Sequence, residues 1–106
     1  MKTAIAIFMT LHGLIHLLGF LKAYQFADFG ELKLPVSKTA GTFWLISFIL
    51  IISAVNLYMA ENSLYLGLGF SAILISQVMI IGAWDDAKYG TIPNIIFGVL
   101  LLLSFN

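Results

Sequence analysis

The chain has 106 residues, of which 61% are hydrophobic and only 9% are charged. Five basic and five acidic residues leave no net charge, so nothing favours nucleic acid as a partner. Because cysteine is absent, disulfides, thiolate metal ligands and cysteine nucleophiles are excluded. The mean hydropathy is +1.05, and a water-soluble chain carries about 25% charged residues. We therefore expect the lipid bilayer to surround this protein.

Four apolar segments are long enough to span a membrane as helices, for which about 20 residues are needed. They cover residues 3–21, 39–60, 64–84 and 92–105. The fourth is short, so we expect it to begin near the membrane edge or to thin the bilayer locally. Two histidines inside the first segment, and no A-x-A-type site after it, argue against a cleaved signal peptide. The predicted fold is a single all-α domain, a bundle of four transmembrane helices.

The connectors between these segments carry polar residues and helix-terminating signals. Residues 22–38 mix charged and apolar side chains, which is typical of a segment that lies in the membrane interface. Ser37 or Thr39 is placed to cap the second helix, and Ser63 to cap the third. Residues 85–91 form the last predicted connector.

The lysines predict the orientation in the membrane. Connectors 22–38 and 85–91 lie on the same side, and they carry four lysines, whereas the opposite side has only Lys2. By the positive-inside rule both connectors are cytoplasmic and both termini lie outside. We expect a multi-pass protein of the inner (plasma) membrane of a cell.

His12 and His16 are the most informative chemical feature. Four residues apart, they project from one face of a helix. Ionisable side chains at membrane depth are expensive and often functional. Three interpretations stay open: hydrogen bonds that hold helices together, proton transfer or polar-ligand binding, and metal ligation. A metal site would use His12 and His16 but needs further ligands, and the sequence names no cofactor.

Other polar residues are predicted to lie at the depth of this pair. His16 is six residues before Lys22, and Gln77 is eight residues before Asp85, at a similar distance from the same membrane face. Trp84 is seven residues after Gln77 and so shares its face in a continuous helix. The sequence therefore predicts a polar pocket in the cytoplasmic half of the bundle. Its expected ligand contacts are His12, His16, Gln77, Trp84, Asp85 and Asn94.

Asp85 and Asp86 are predicted to follow the carboxyl end of the third helix. Carboxylates are unfavourable there because the helix dipole is negative at that end. Expected charge partners are the cations at the same membrane face, Lys22, Lys38 and Lys88, or a bound cation. The alternative is a solvated turn that simply ends the apolar run.

The remaining polar and aromatic residues have structural interpretations. Ser47, Ser53, Ser71 and Ser76 are expected to bond to carbonyl groups of their own helices. Trp44 and Trp84 lie near predicted helix ends, where an aromatic belt meets the membrane interface.

Three stretches of the sequence carry a family resemblance: HGLIHLLGFLKAYQF, SKTAGTFWL and SQVMIIGAWDDAKYGTIPNII. They resemble a group of small, uncharacterised bacterial four-helix membrane proteins, similar in general plan to DoxX-like proteins. The resemblance implies a multi-pass membrane protein but no settled activity. Small multidrug-resistance transporters differ because they carry a carboxylate in the first helix, where this chain has histidine. The most specific stretches are His12-Gly13-x-x-His16, Ser37-Lys38 and the turn from Trp84 to Thr91.

Three classes of function are compatible with the sequence. The first is binding of a lipid-like or other small amphipathic ligand in the polar pocket. The second is a proton-coupled transporter or channel, which would act as a homo-oligomer because four short helices enclose little space. The third is a structural or accessory subunit that joins a membrane partner. No nucleophile elbow or Ser-His-Asp set is recognisable in the sequence, so enzymatic activity stays an open question.

Overall fold

The computed structural model describes residues 2–26 and 36–103, apart from the side chain of Lys2. The predicted interfacial placement of connector 22–38 falls largely on residues 27–35, which lie outside the described part of the chain. Asp28 and Lys33 lie there too.

Four long helices form the molecule, and the described residues contain no strand. The predicted all-α four-helix fold is therefore confirmed. The elements in chain order are α1 (Lys2–Ala23), α2 (Lys38–Met59), α3 (Tyr65–Gly82), the short α4 (Trp84–Ala87), a 3-10 turn (Lys88–Gly90) and α5 (Thr91–Leu103).

Glycines set the close antiparallel packing of α1 and α2. Near the start of α2, Gly41 packs against Ala23 at the end of α1, where a side chain on the glycine would collide with the alanine. One turn away, a Cβ added to Gly19 would lie 2.5 Å from the ring of Trp44. Small residues allow helix backbones to approach closely, which stabilises helix pairs in lipid by van der Waals contact.

An apolar core fills the half of the bundle that is remote from the lysine-bearing connectors. There α3 and α5 run antiparallel, and Gly69 contacts Leu101. The buried core residues are Met9, Ile51, Ala54, Val55, Ala72, Phe97 and Leu101. Since these residues occupy the first half of α1 and the second half of α5, the polar residues of both helices lie nearer to the other end.

Helix capping follows the sequence signals in part. Ser37 caps α2 as predicted, because its Oγ accepts a hydrogen bond from the Ala40 N–H at 3.1 Å. The predicted cap at Ser63 is wrong, since its side chain makes no capping bond. Instead the side-chain oxygen of Asn62 accepts from the Leu64 N–H at 3.0 Å. Asparagine commonly forms such turns with the backbone two residues ahead.

The fourth candidate span is a broken helix, whereas the sequence predicted a connector followed by a short helix. Ala83, with φ −123° and ψ 41°, leaves the helical region and ends α3. A second break follows at Ala87, with φ −121° and ψ 1°. Between the breaks, Asp85 and Asp86 lie in the first turn of α4. The predicted placement of the two carboxylates at a helix carboxyl end is therefore wrong, and with it the need for compensating cations.

The outer surface is apolar over much of its area. Ile15, Leu74 and Ile81 are each more than 60% exposed, as side chains that face lipid would be. Four segments are long and apolar enough to cross a membrane, the fourth being Trp84–Leu103 with 20 residues. The molecule is 41 Å long, which is close to the thickness of about 40–45 Å of a bilayer with its headgroups.

Candidate functional site

His12 and His16 lie in the middle of α1 and point into the bundle. They are only 4% and 2% exposed, respectively. Their rings are nearly perpendicular, with centroids 4.5 Å apart. On the other side of His16, the ring of Trp44 from α2 lies edge-on at 5.2 Å. The space left by Gly19 allows this tryptophan to reach the histidine.

Both nitrogens of His16 are hydrogen-bonded to protein. Nδ1 lies 2.9 Å from the backbone oxygen of His12, one turn earlier in α1. Nε2 lies 2.5 Å from Oγ of Ser76, which is fully buried on α3. His16 therefore joins α1 to α3.

Asn94 connects the same group of residues to α5. Its Oδ1 lies 3.0 Å from Nε2 of His12. Its amide nitrogen donates to Oγ of Ser76 at 3.0 Å and to Oε1 of Gln77 at 3.1 Å. Gln77 in turn donates to Oγ1 of Thr91 at 3.0 Å. The polar network thus ties together α1, α3 and α5 at mid-depth.

Hydrogen bonds link four residues in a closed ring: His12, His16, Ser76 and Asn94. The direction of each bond follows from the backbone carbonyl group of His12. The backbone oxygen of His12 can only accept, so in a neutral ring Nδ1 of His16 carries the proton and Nε2 accepts. Ser76 must then donate its single hydroxyl proton to Nε2. Consequently the atom of Asn94 that contacts Ser76 at 3.0 Å must be a donor, which fixes the orientation of the amide.

The same reasoning fixes the tautomer of His12. With its nitrogen committed to Ser76 and Gln77, Asn94 presents only an oxygen to His12, so Nε2 of His12 must be the donor. Its Nδ1 is then a bare acceptor, and no described residue bonds to it. Among described residues, Ser47 Oγ is the only fully buried side-chain polar atom without a partner, so Nδ1 of His12 keeps accessible surface.

His12 also lines a cavity of about 250 Å³ at the end of the bundle where α1 and α3 finish and α2 begins. The broken fourth helix forms one wall, with Asp86, Tyr89 and Gly90 on the lining. Irregular backbone at membrane depth is tolerated where it is buried in protein or lines a cavity. Other lining residues are mainly apolar and include Ile15, Leu18, Ile80 and Pro93.

Of the six predicted contacts, two line this cavity and two are hydrogen-bonded in the network next to it. His12 and His16 are on the lining, whereas Asn94 and Gln77 belong to the hydrogen-bond network. The prediction for Trp84 and Asp85 is not met, since both are exposed and neither is on the lining. It assumed one continuous helix, whose phase is lost at Ala83.

The predicted charge partners lie at the cavity end of the bundle. Lys38 Nζ lies 6.0 Å from the centroid of the Tyr24 ring, and Lys88 Nζ lies 5.5 Å from that of Tyr89. Lys22 is half-buried in the last turn of α1. Asp86 is the acidic residue on the cavity lining.

Two residues of the site have roles that the sequence did not indicate. Ser76 bonds across to α1 and α5 rather than to its own helix, and Trp44 is buried against His16 rather than in a belt. A possible signal for Trp44 is its position opposite Gly19 in an antiparallel pair. For Ser76 the sequence offers none, because Ser47 presents the same pattern.

The site has the elements of two familiar chemistries but lacks a requirement of each. Ser76 and His16 have the hydrogen bond of a nucleophile and its base, yet Ser76 has no exposed surface and is absent from the lining. For a metal, His16 has both nitrogens engaged, and the described residues hold no group of three or more potential ligands. Binding through Nδ1 of His12 is the chemistry that the geometry leaves open.

Comparisons with models of protein families, with curated proteins and with solved structures found no match for this chain.

Proposed function

We propose that this chain is a multi-pass membrane protein that binds a small amphipathic ligand in the cavity beside His12 and His16. The observation that carries the proposal is that His12 lines an apolar cavity, while its Nδ1 has no hydrogen-bond partner among the described residues and is not fully buried. Ligand sites commonly combine an apolar lining with a few fixed polar groups. Here the network of His16, Ser76 and Asn94 holds the polar group in place.

The size of the cavity limits the part of a ligand that enters it. Its volume of about 250 Å³ is slightly below the range of about 300–1,000 Å³ typical of pockets for drug-sized molecules. The cavity therefore accommodates one ring or headgroup, while an apolar tail would remain among the lipids. This division suits a molecule that reaches the site from the bilayer.

The proposed setting is the inner (plasma) membrane of a cell, with the cavity at the cytoplasmic end. Three lysines lie at the cavity end of the bundle: Lys22 in the last turn of α1, Lys38 at the first residue of α2 and Lys88 in the 3-10 turn. Their placement supports this orientation by the positive-inside rule. Both termini would then lie outside.

The hydrogen-bond network favours ligand binding over proton conduction. From His12 the bonds pass through Asn94 and Ser76 to His16 and return to the backbone of His12. A single branch leaves this ring at Asn94 and, among the described residues, runs through Gln77 to Thr91. A proton pathway would need to continue toward both faces of the membrane. The closed ring also stabilises the bundle. In an accessory subunit, the alternative function, the histidines would have this stabilising role alone.

Native mass spectrometry of the protein, taken directly from its own membrane, tests the proposal. We expect a small amphipathic molecule to be retained at one copy per chain, and to be lost when His12 and His16 are replaced by phenylalanine. A stable protein partner with no bound small molecule would contradict the proposal and favour the accessory subunit.

A further inference from the structure

We propose that the cavity selects ligands that donate a hydrogen bond, specifically a neutral hydroxyl group on an apolar ring. This inference rests on the proposed function and adds the chemical class of the ligand. Its basis is the fixed tautomer of His12. The Nε2–H is committed to Asn94 Oδ1 at 3.0 Å, which leaves the lone pair on Nδ1 free on a residue that lines the cavity.

The tautomer cannot reverse without breaking the network. A proton on Nδ1 of His12 would leave Nε2 as an acceptor facing the acceptor Oδ1 of Asn94. Rotating the Asn94 amide would not restore the bond, because its oxygen would then face the lone pairs of Ser76 Oγ. The only hydroxyl proton of Ser76 is already donated to His16. The selectivity for a donor is therefore built into α1, α3 and α5 together.

The shape of the site favours a ring. Trp44 and Tyr89 provide aromatic surface on the lining, and Ile80 and Pro93 provide aliphatic surface. Gly90 keeps the space next to His12 open, because a Cβ there would lie 3.5 Å from Cε1 of the histidine. A phenol or hydroquinone ring meets these conditions, whereas an ether or a quinone carbonyl offers the histidine only a second acceptor.

The two tryptophans allow the binding to be measured directly. Trp44 lines the cavity, and Trp84, the only other tryptophan, is 48% exposed outside it. We would purify a Trp84→Phe variant in detergent and titrate it with 4-bromophenol or 4-bromoanisole, since bromine quenches the fluorescence of a tryptophan that it contacts. The two probes differ by the methyl group that blocks the hydroxyl proton.

Two controls remove the effect of partitioning into detergent. Affinities are expressed per mole fraction of probe in the micelle, and a Trp44→Phe variant reports quenching of the exposed Trp84 by probe dissolved there. Saturable quenching must occur at Trp44 and be reversed by unbrominated phenol.

We expect the phenol to bind about three- to tenfold more tightly than the anisole, which is the effect of one net hydrogen bond. In a His12→Phe variant this preference should disappear while the anisole still binds. Should that variant not fold, the ratio of the two affinities in the His12 protein decides.

Each other outcome overturns a different statement. Equal affinities, as a water molecule hydrogen-bonded to Nδ1 would produce, overturn the selectivity but leave the ligand site in place. A preference that persists in His12→Phe overturns the role of His12. Absence of saturable quenching at Trp44 by either probe overturns the proposed function itself.

Discussion

Two buried serines provide a matched pair that tests the hydrogen-bond network. Ser47 on α2 and Ser76 on α3 are both 0% exposed, and substitution by alanine removes the same hydroxyl group. Ser76 donates to His16 and accepts from Asn94, whereas Ser47 Oγ has no hydrogen-bond partner in the part of the chain that the structure describes. The two substitutions should therefore change stability in opposite directions.

The magnitudes follow from the bonds that are lost. Ser76→Ala removes two bonds, each contributing about 0.6 kcal/mol on average within a membrane protein. It also leaves buried groups on His16 and Asn94 unsatisfied, which costs about 1–3 kcal/mol. We expect a total loss of about 2–4 kcal/mol. Ser47→Ala removes a hydroxyl group buried without a partner, so we expect a gain of about 1 kcal/mol.

The free energy of unfolding can be measured by titrating the protein in mild detergent with dodecyl sulfate, following helix content by circular dichroism. The two variants should differ by about 3–5 kcal/mol, which is more than a hundredfold in the equilibrium constant. Equal losses in the two variants would refute the assignment of partners, as would a larger loss for Ser47→Ala.

Further substitutions test helix packing and capping. Gly19→Ala should destabilise the protein by about 1–3 kcal/mol, because its Cβ would meet the Trp44 ring. In contrast, Gly67→Ala, with open space around the added Cβ, should stabilise α3 by up to about 1 kcal/mol; thermal unfolding in detergent compares the two, and a loss for both would contradict the packing. Ser37→Ala should cost about 1 kcal/mol through loss of the cap on α2. Ser63→Ala should lie within about 0.5 kcal/mol of the parent protein, and equal effects of the two serines would show that Ser37 does not cap the helix.

The helices and part of the site could be predicted because both follow from local rules. Length and apolarity locate a membrane-spanning helix, and a spacing of four residues places His12 and His16 on one face. Counting residues from a common membrane face also placed His16 and Gln77 at a similar depth. In the structure Ser76 bonds to His16 and to Asn94, and Asn94 bonds to Gln77.

The remainder of the site depends on features that spacing does not contain. Trp84 was placed by helical phase, and the phase ends where Ala83 adopts a non-helical conformation. The sequence predicted a pocket beside His12 and His16, but it did not predict that the broken helix forms one wall of the cavity or that Gly90 lines it. Which of two buried serines faces the histidines is decided by the rotation of α3, which the sequence pattern does not specify.

The tautomers of the two imidazole rings decide whether His12 can accept a hydrogen bond from a ligand. Nitrogen-15 NMR of labelled histidine distinguishes a nitrogen that carries a proton from one that does not, so it gives the tautomer of each ring. We predict opposite tautomers in one sample, with the proton on Nδ1 in His16 and on Nε2 in His12. A proton on Nδ1 of His12, or on Nε2 of neutral His16, would contradict the network and remove the acceptor on which ligand binding depends.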